Sequence, residues 1–142
     1  MLLPTTLSAG SKTQQLRQKL DNLLEQRKAL IDNKNKDINR LKKNLTTSEN
    51  TLKRLQTYEQ LFEEYYVFQF DSAMTYLNKG IKLAKESQNT YYYNSNTISK
   101  AELLSIGGLY NEAIHEIEQV DTTGLDKAQH FEYYFSLFRI HT

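Results

Sequence analysis

The sequence contains no cysteine and no tryptophan, and its 142 residues include one proline and five glycines. The lack of cysteine excludes disulfides, thiolate metal sites and a cysteine nucleophile. With few helix breakers and few alternating β-branched runs, the composition predicts an all-α fold. No apolar run approaches the roughly 20 residues that a transmembrane helix needs, so the sequence predicts no membrane span in this chain.

Charge is divided unevenly along the chain, although the formal net charge is only +1. Residues 1–56 hold twelve Lys and Arg against five Asp and Glu, whereas residues 57–142 hold six against twelve. The basic part could follow a phosphate backbone, but acids alternate with the bases and no aromatic is interleaved for base stacking. A solvated helix face explains this pattern better, and we predict no nucleic-acid binding by this segment.

The beginning of the chain differs in composition from the rest. Residues 1–10 join a short apolar opening to small residues, which predicts either the remnant of a secretory signal or a disordered N-terminus. Residues 11–45 predict one long polar helix. Its leucines follow a short heptad-like seam: Leu16, Leu20, Leu23 and Leu30. Two interpretations stay open, a helix lying along a neighbouring bundle and a coiled coil through which two copies form a homodimer.

The most apolar stretch runs from Leu61 to Ala84 and predicts two amphipathic helices separated by VFQFD. Thr46 and Glu49 have the form of a capping box, so we expect the first of these helices to begin there. Asp71 is the expected N-cap of the second helix, and Asp126 that of the last helix in the chain. The stretch is therefore predicted to be a helical hairpin.

A pattern in this hairpin recurs 40 residues later. In each copy an aromatic residue lies three positions before an alanine, and an aliphatic residue lies four positions after it. The two copies are Phe70, Ala73, Leu77 and Tyr110, Ala113, Ile117. Because a small alanine lets two helices approach closely, self-similarity at this period predicts stacked helical hairpins.

The second copy, GGLYNEAIHEIEQV, resembles the second half of a tetratricopeptide repeat (TPR). The resemblance implies antiparallel helical hairpins stacked as a short TPR-like right-handed array, preceded by the long polar helix. We assign residues 46–142 to this array, with repeats at 46–88 and 90–121 and a half repeat at 126–142. The spacing of 40 residues, against the usual ~34, predicts helices longer than is usual for this repeat.

Three segments together look like the N-terminal sensor region of a bacterial family of envelope-associated regulators. They are LDNLLEQRKALIDNKNKDINRLKKNL, YEQLFEEYYVFQFDSAMTYLNKGIKLA and GLYNEAIHEIEQVD. In that family a signal peptide precedes the repeats, and a membrane helix, a coiled coil and a cytoplasmic output domain follow. The resemblance implies that the chain is the sensor fragment of a longer regulator and lies in the periplasm or at the envelope; without it, a cytoplasmic location is expected.

The sequence shows no grouping of residues that is typical of a catalytic or metal site. His115, His130 and His141 lack the spacing of metal ligands on one helix, and we expect no metal and no cofactor. Nothing signals an oxyanion hole or a nucleophile turn, so we predict that the chain is not an enzyme.

In repeats of this type the first helix of each pair lines the ligand groove. On our helix phase the candidate partner-binding residues are Glu63, Tyr66, Asn94, Thr97, Lys100, Glu132 and Arg139. We therefore predict a module that binds a protein or peptide. The alternative is a structural module that oligomerises through residues 11–45, and a homodimer through the exposed C-terminal helix is a further hypothesis.

Overall fold

The computed structural model describes residues 6–142, with side chains from residue 9 onward. Within that range it contains one short 3₁₀ helix, no β-strand and six α-helices: α1 (Thr6–Thr47), α2 (Thr51–Tyr66), α3 (Phe70–Glu86), α4 (Thr90–Ile106), α5 (Tyr110–Ile117) and α6 (Lys127–His141). The all-α prediction is confirmed. Internal contacts divide the chain into an N-terminal unit, residues 1–39, and a repeat unit, residues 40–142, which we describe separately.

The described part of the N-terminal unit is a continuous helix, the first 34 residues of α1. Its leucines from residue 9 onward are exposed: Leu16, Leu20, Leu23, Leu24 and Leu30. Half of the predicted signal remnant, residues 1–5, lies outside the described residues, whereas residues 6–10 belong to α1. None of the helices in residues 6–142 combines the length and the apolar content needed to cross a membrane.

The expected capping box at Thr46 is wrong, because α1 continues to Thr47. The Thr46 hydroxyl donates instead to the carbonyl oxygen of Lys43 at 2.8 Å, as threonine commonly does inside a helix. Helix α2 begins at Thr51, and its N-cap is Asn50, whose side-chain oxygen accepts a hydrogen bond from the Lys53 amide at 3.0 Å.

The expected N-cap at Asp71 is also wrong, since α3 begins one residue earlier and Asp71 lies in its first turn. A carboxylate there still interacts favourably with the positive end of the helix. At α6 the prediction is confirmed. Asp126 accepts from the Gln129 amide at 2.8 Å, and the Gln129 side chain accepts from the Asp126 amide at 3.3 Å, which completes a capping box.

The repeat unit is built from helices that pack in sequence order, α2 with α3, α3 with α4, α4 with α5, and α6 against both α4 and α5. Ala73 and Ala113, the small residues of the two predicted hairpins, are both fully buried. Their burial explains how α3 and α5 pack close to their neighbours. The prediction of a TPR-like helical array is thus confirmed.

Helix length explains the 40-residue spacing of the two copies. Helices α3 and α4 each have 17 residues, about 25 Å, and a three-residue turn follows each of them. The expectation of long helices fails for α5, which has only 8 residues. After α5 the chain turns through a 3₁₀ helix (Thr122–Gly124), where Asp121 accepts from the Thr123 amide at 3.0 Å.

Candidate binding groove

A groove of about 440 Å³ runs across the first helices of the hairpins and α6. Helices α2, α4 and α6 all contribute side chains to it, as the family resemblance implied for such repeats. The lining residues are Glu59, Phe62, Glu63 and Tyr66 from α2; Tyr91, Ser95, Asn96, Ile98, Ser99 and Glu102 from α4; and Glu132 from α6. We call this surface the groove.

Glu102 connects the three helices that form the groove. Its Oε1 atom accepts a hydrogen bond from the Tyr66 hydroxyl of α2 at 3.1 Å and another from Nη1 of Arg139 of α6 at 2.6 Å. The Arg139 guanidinium also lies over the Phe135 ring, 5.5 Å from its centre. Burial and the neighbouring Glu102 charge raise the pKa of Tyr66, so its hydroxyl stays protonated and remains a donor.

Gln129 holds α6 against α4 from within the core. Its side-chain amide donates to the carbonyl oxygen of Tyr91 at 2.9 Å and to Oγ of Ser95 at 2.7 Å. Gln129 is itself buried, so these bonds replace the water that the amide loses on folding. Two groove residues on α4 are therefore positioned by a polar contact as well as by apolar packing.

Three further carboxylates give the groove a negative character. Glu59 is half-buried, and its pKa is raised first by burial and then by the charges of Glu63 and Glu132. The pKa of Glu132 is also raised, by loss of solvent and by the charges of Glu102 and Asp126. Carboxylates from α2, α4 and α6 thus repel one another around one space.

The floor of the groove includes Asn96, which is only 3% exposed. Its Nδ2 atom is buried and has no hydrogen-bond partner in the described part of the chain. Gly80 of α3 makes room for this side chain, because a Cβ atom at position 80 would lie 2.8 Å from Nδ2. The Asn96 side chain therefore packs between α4 and α3, beneath the surface that faces the groove.

The family comparison agrees with this arrangement. The model of the SusR N-terminal TPR domain matches residues 24–142. The chain belongs to this family. The predicted resemblance to a TPR-like N-terminal region of a regulator family is confirmed. Neither a curated protein nor a solved structure gives a significant match.

Membership of the SusR N-terminal TPR family describes the chain at a coarse level. TPR domains mediate protein interactions and are in general non-catalytic repeat modules. Among the residues that the structure describes, no group of three or more His, Asp or Glu side chains is arranged to hold a metal ion.

In this SusR-type domain, four of the seven predicted partner-binding residues lie at the groove. Glu63, Tyr66 and Glu132 line it, and Arg139 reaches its edge through the ion pair with Glu102. These four residues lie on α2 and α6. Helix phase alone had placed them on the sides of the two helices that face the groove. Whether any of them binds a partner stays a prediction.

The three predicted residues on α4 do not face the groove. Asn94 and Thr97 are buried, with the Asn94 amide donating to the Asp121 carbonyl oxygen at 3.2 Å and the Thr97 hydroxyl to that of Tyr93 at 2.7 Å. Lys100 pairs with Glu116 of α5, with 2.6 Å between Nζ and Oε1. Their placement in the groove was wrong because the assumed phase of α4 was rotated by about one residue, or about 100°.

Sequence reasoning missed most of the groove on α4, and part of it on α2. Glu59 stands four positions before Glu63, and Phe62 stands four positions before Tyr66, so each could have been found from the predicted residue one turn later. On α4 the facing residues are Tyr91, Ser95, Asn96, Ile98, Ser99 and Glu102. No sequence signal distinguished them, since the neighbouring polar residues of α4 are buried.

Glu59→Gln is expected to raise the free energy of unfolding by about 0.5 kcal/mol at pH 7. The folded state raises the pKa of Glu59 above its ordinary value of 4.5. The protonated carboxyl therefore stabilises the folded state at low pH, and this contribution is lost as the pH rises through the folded-state pKa. Glutamine does not titrate, so the advantage of the variant should be present at pH 7 and vanish towards pH 4. Urea unfolding followed by circular dichroism at both pH values measures it.

Glu112→Gln is the matched control, because Glu112 is exposed on α5 away from the groove. Because Glu112 lies in the first turn of α5, its carboxylate favours the helix end, and Glu112→Gln should slightly lower stability at pH 7, a change opposite in sign to that of Glu59→Gln. Equal gains from both variants, or a gain for Glu59→Gln that persists at pH 4, would contradict the repulsion inferred among the groove carboxylates.

Proposed function

We propose that this chain is the non-enzymatic sensor portion of a bacterial membrane-associated regulatory protein, located in the periplasm or at the envelope, and that its groove binds a protein or peptide partner. Membership of the SusR N-terminal TPR family supports the regulatory context. The observation that carries the binding role is the groove itself, because side chains from α2, α4 and α6 converge on one concave surface.

The groove also suggests how binding reaches the rest of the repeat unit. Each hairpin contacts only its neighbours, so the stacking of α2, α4 and α6 depends on the interfaces between adjacent hairpins. An occupant that contacts all three helices stabilises the stacked arrangement by mass action. A sensor built in this way would report its partner as a change in the order or spacing of its helices.

Site-specific photo-cross-linking tests the proposal. The photoreactive residue p-benzoylphenylalanine replaces Tyr91 in the groove, Tyr110 on α5, or Leu24 on α1, and each variant is incubated with bacterial envelope extract and irradiated. Tyr91 and Tyr110 form a matched pair, since both are tyrosines about half exposed. We expect a discrete cross-linked polypeptide from position 91 and none of that mass from position 110.

The other outcomes distinguish the alternatives. Equal cross-linking from positions 91 and 110 would mean non-specific capture and would count against a binding groove. Cross-linking between two copies from position 24 alone would favour the structural alternative, in which residues 11–45 oligomerise.

A further inference from the structure

The groove carries negative charge that the protein does not neutralise. Arg139 pairs with Glu102, but Glu59, Glu63 and Glu132 have no ion pair with any side chain in residues 9–142. Glu59 and Glu132 lie on different helices, and the charge of Glu132 contributes to the raised pKa of Glu59. A positively charged group placed between them would remove this repulsion and gain favourable Coulomb energy.

Aromatic rings stand beside these carboxylates. Phe62 and Tyr66 pack edge to face, with ring centres 5.4 Å apart, and both line the groove. Tyr91 lines it from α4 and is 50% exposed. A ring face beside a carboxylate suits the stem and head of a Lys or Arg side chain. Within this chain, Arg139 already makes that combination with Glu102 and Phe135. The groove therefore offers carboxylate acceptors and aromatic faces for a cationic side chain.

We propose that the partner presents a Lys- or Arg-bearing polypeptide segment, which places its cationic side chain among Glu59, Glu63 and Glu132, beside the rings of Phe62 and Tyr66. This inference rests on the proposed binding function of the groove. A polyamine supplies the charge but is not the protein or peptide partner of the proposed function, and an acidic peptide would add to the repulsion already present. Both become outcomes of the test.

A random-peptide display library is selected against the immobilised full-length chain. An enriched peptide is then synthesised, together with a version in which every Lys and Arg is replaced by Gln, and binding is measured by calorimetry. The acidic-site variant is Glu59→Gln/Glu63→Gln/Glu132→Gln. Its matched control is Glu86→Gln/Glu112→Gln/Glu118→Gln, which makes the same charge change on or next to α3 and α5. A second groove variant, Phe62→Ala/Tyr66→Ala, removes the aromatic wall and keeps the acids.

We expect the enriched peptides to be basic, with affinity reduced about tenfold or more by the acidic-site variant and little by its control. The Gln version of the peptide should bind the unmodified chain no more tightly than the original peptide binds the acidic-site variant. The affinity of the original peptide should fall with added salt. Circular dichroism confirms that each variant folds.

The failures of the two proposals are distinguishable. Apolar or acidic peptides that lose affinity with Phe62→Ala/Tyr66→Ala but not with the acidic-site variant would overturn the inference and leave a peptide-binding groove. Spermidine that binds in the groove where no basic peptide does would overturn the polypeptide class. Enriched peptides indifferent to both groove variants would overturn the proposed groove as well.

Discussion

Leu61→Ala is expected to lower the free energy of unfolding of the repeat unit by about 3 kcal/mol. This value lies within the range measured for buried leucines replaced by alanine. Leu61 is fully buried in α2. Its truncation removes one methine and two methyl groups from close packing and leaves a cavity that neighbouring helices fill only partly. Denaturant unfolding, followed by helix circular dichroism, measures the loss.

Leu52→Ala is the matched control, because Leu52 lies on the same helix and is 49% exposed. The two substitutions change helix propensity identically, so the difference between them reports burial. Leu52→Ala should cost less than about 1 kcal/mol. A similar loss for both variants would mean that α2 does not present Leu61 to the core.

Ala113→Leu is expected to destabilise the repeat unit by about 2 kcal/mol, through overpacking. Ala113 is fully buried on α5, among core side chains that include Ile98, Leu104 and Ile117. Alanine and leucine have nearly equal helix propensities. The added atoms must therefore push α5 away from its neighbours, and thermal unfolding should show a lower midpoint.

Ala128→Leu makes the same change where alanine is exposed, in the first turn of α6. It should be close to neutral. If Ala113→Leu were equally neutral, the space beside α5 would be large enough for a leucine, and close approach through small alanines could not be the reason for the repeated pattern.

Some features of the fold follow from local patterns. The aromatic and alanine pattern repeated at Ala73 and Ala113 predicted the two hairpins, and both alanines are buried. Asp126 was recognised as an N-cap because aspartate before a helical apolar series is a favoured cap, and the structure adds a capping box with Gln129. The cap at Asn50 was missed, since Thr46 and Glu49 offered a competing pattern that differs by only a few residues.

The groove residues on α4 could not be predicted from local sequence patterns. Periodicity identifies a buried face only when the opposite face is solvated and polar. Helix α4 packs against α3, α5 and α6, so its polar residues Asn94 and Thr97 are buried and bonded to backbone carbonyls. Polarity on this helix does not report exposure, and its phase could not be read from hydrophobicity.

The sequence itself determined the all-α class, the repeated hairpin and the type of groove-forming repeat. The spacing of residues along one or two helices decides each of these features. Only the tertiary structure decided that Glu59, Glu102 and Glu132 border one space and that Asn96 forms its floor. Those residues lie on α2, α4 and α6, and the distance between them depends on how the helices stack. Stacking is set by many small packing contacts distributed over the whole unit, which no local pattern encodes.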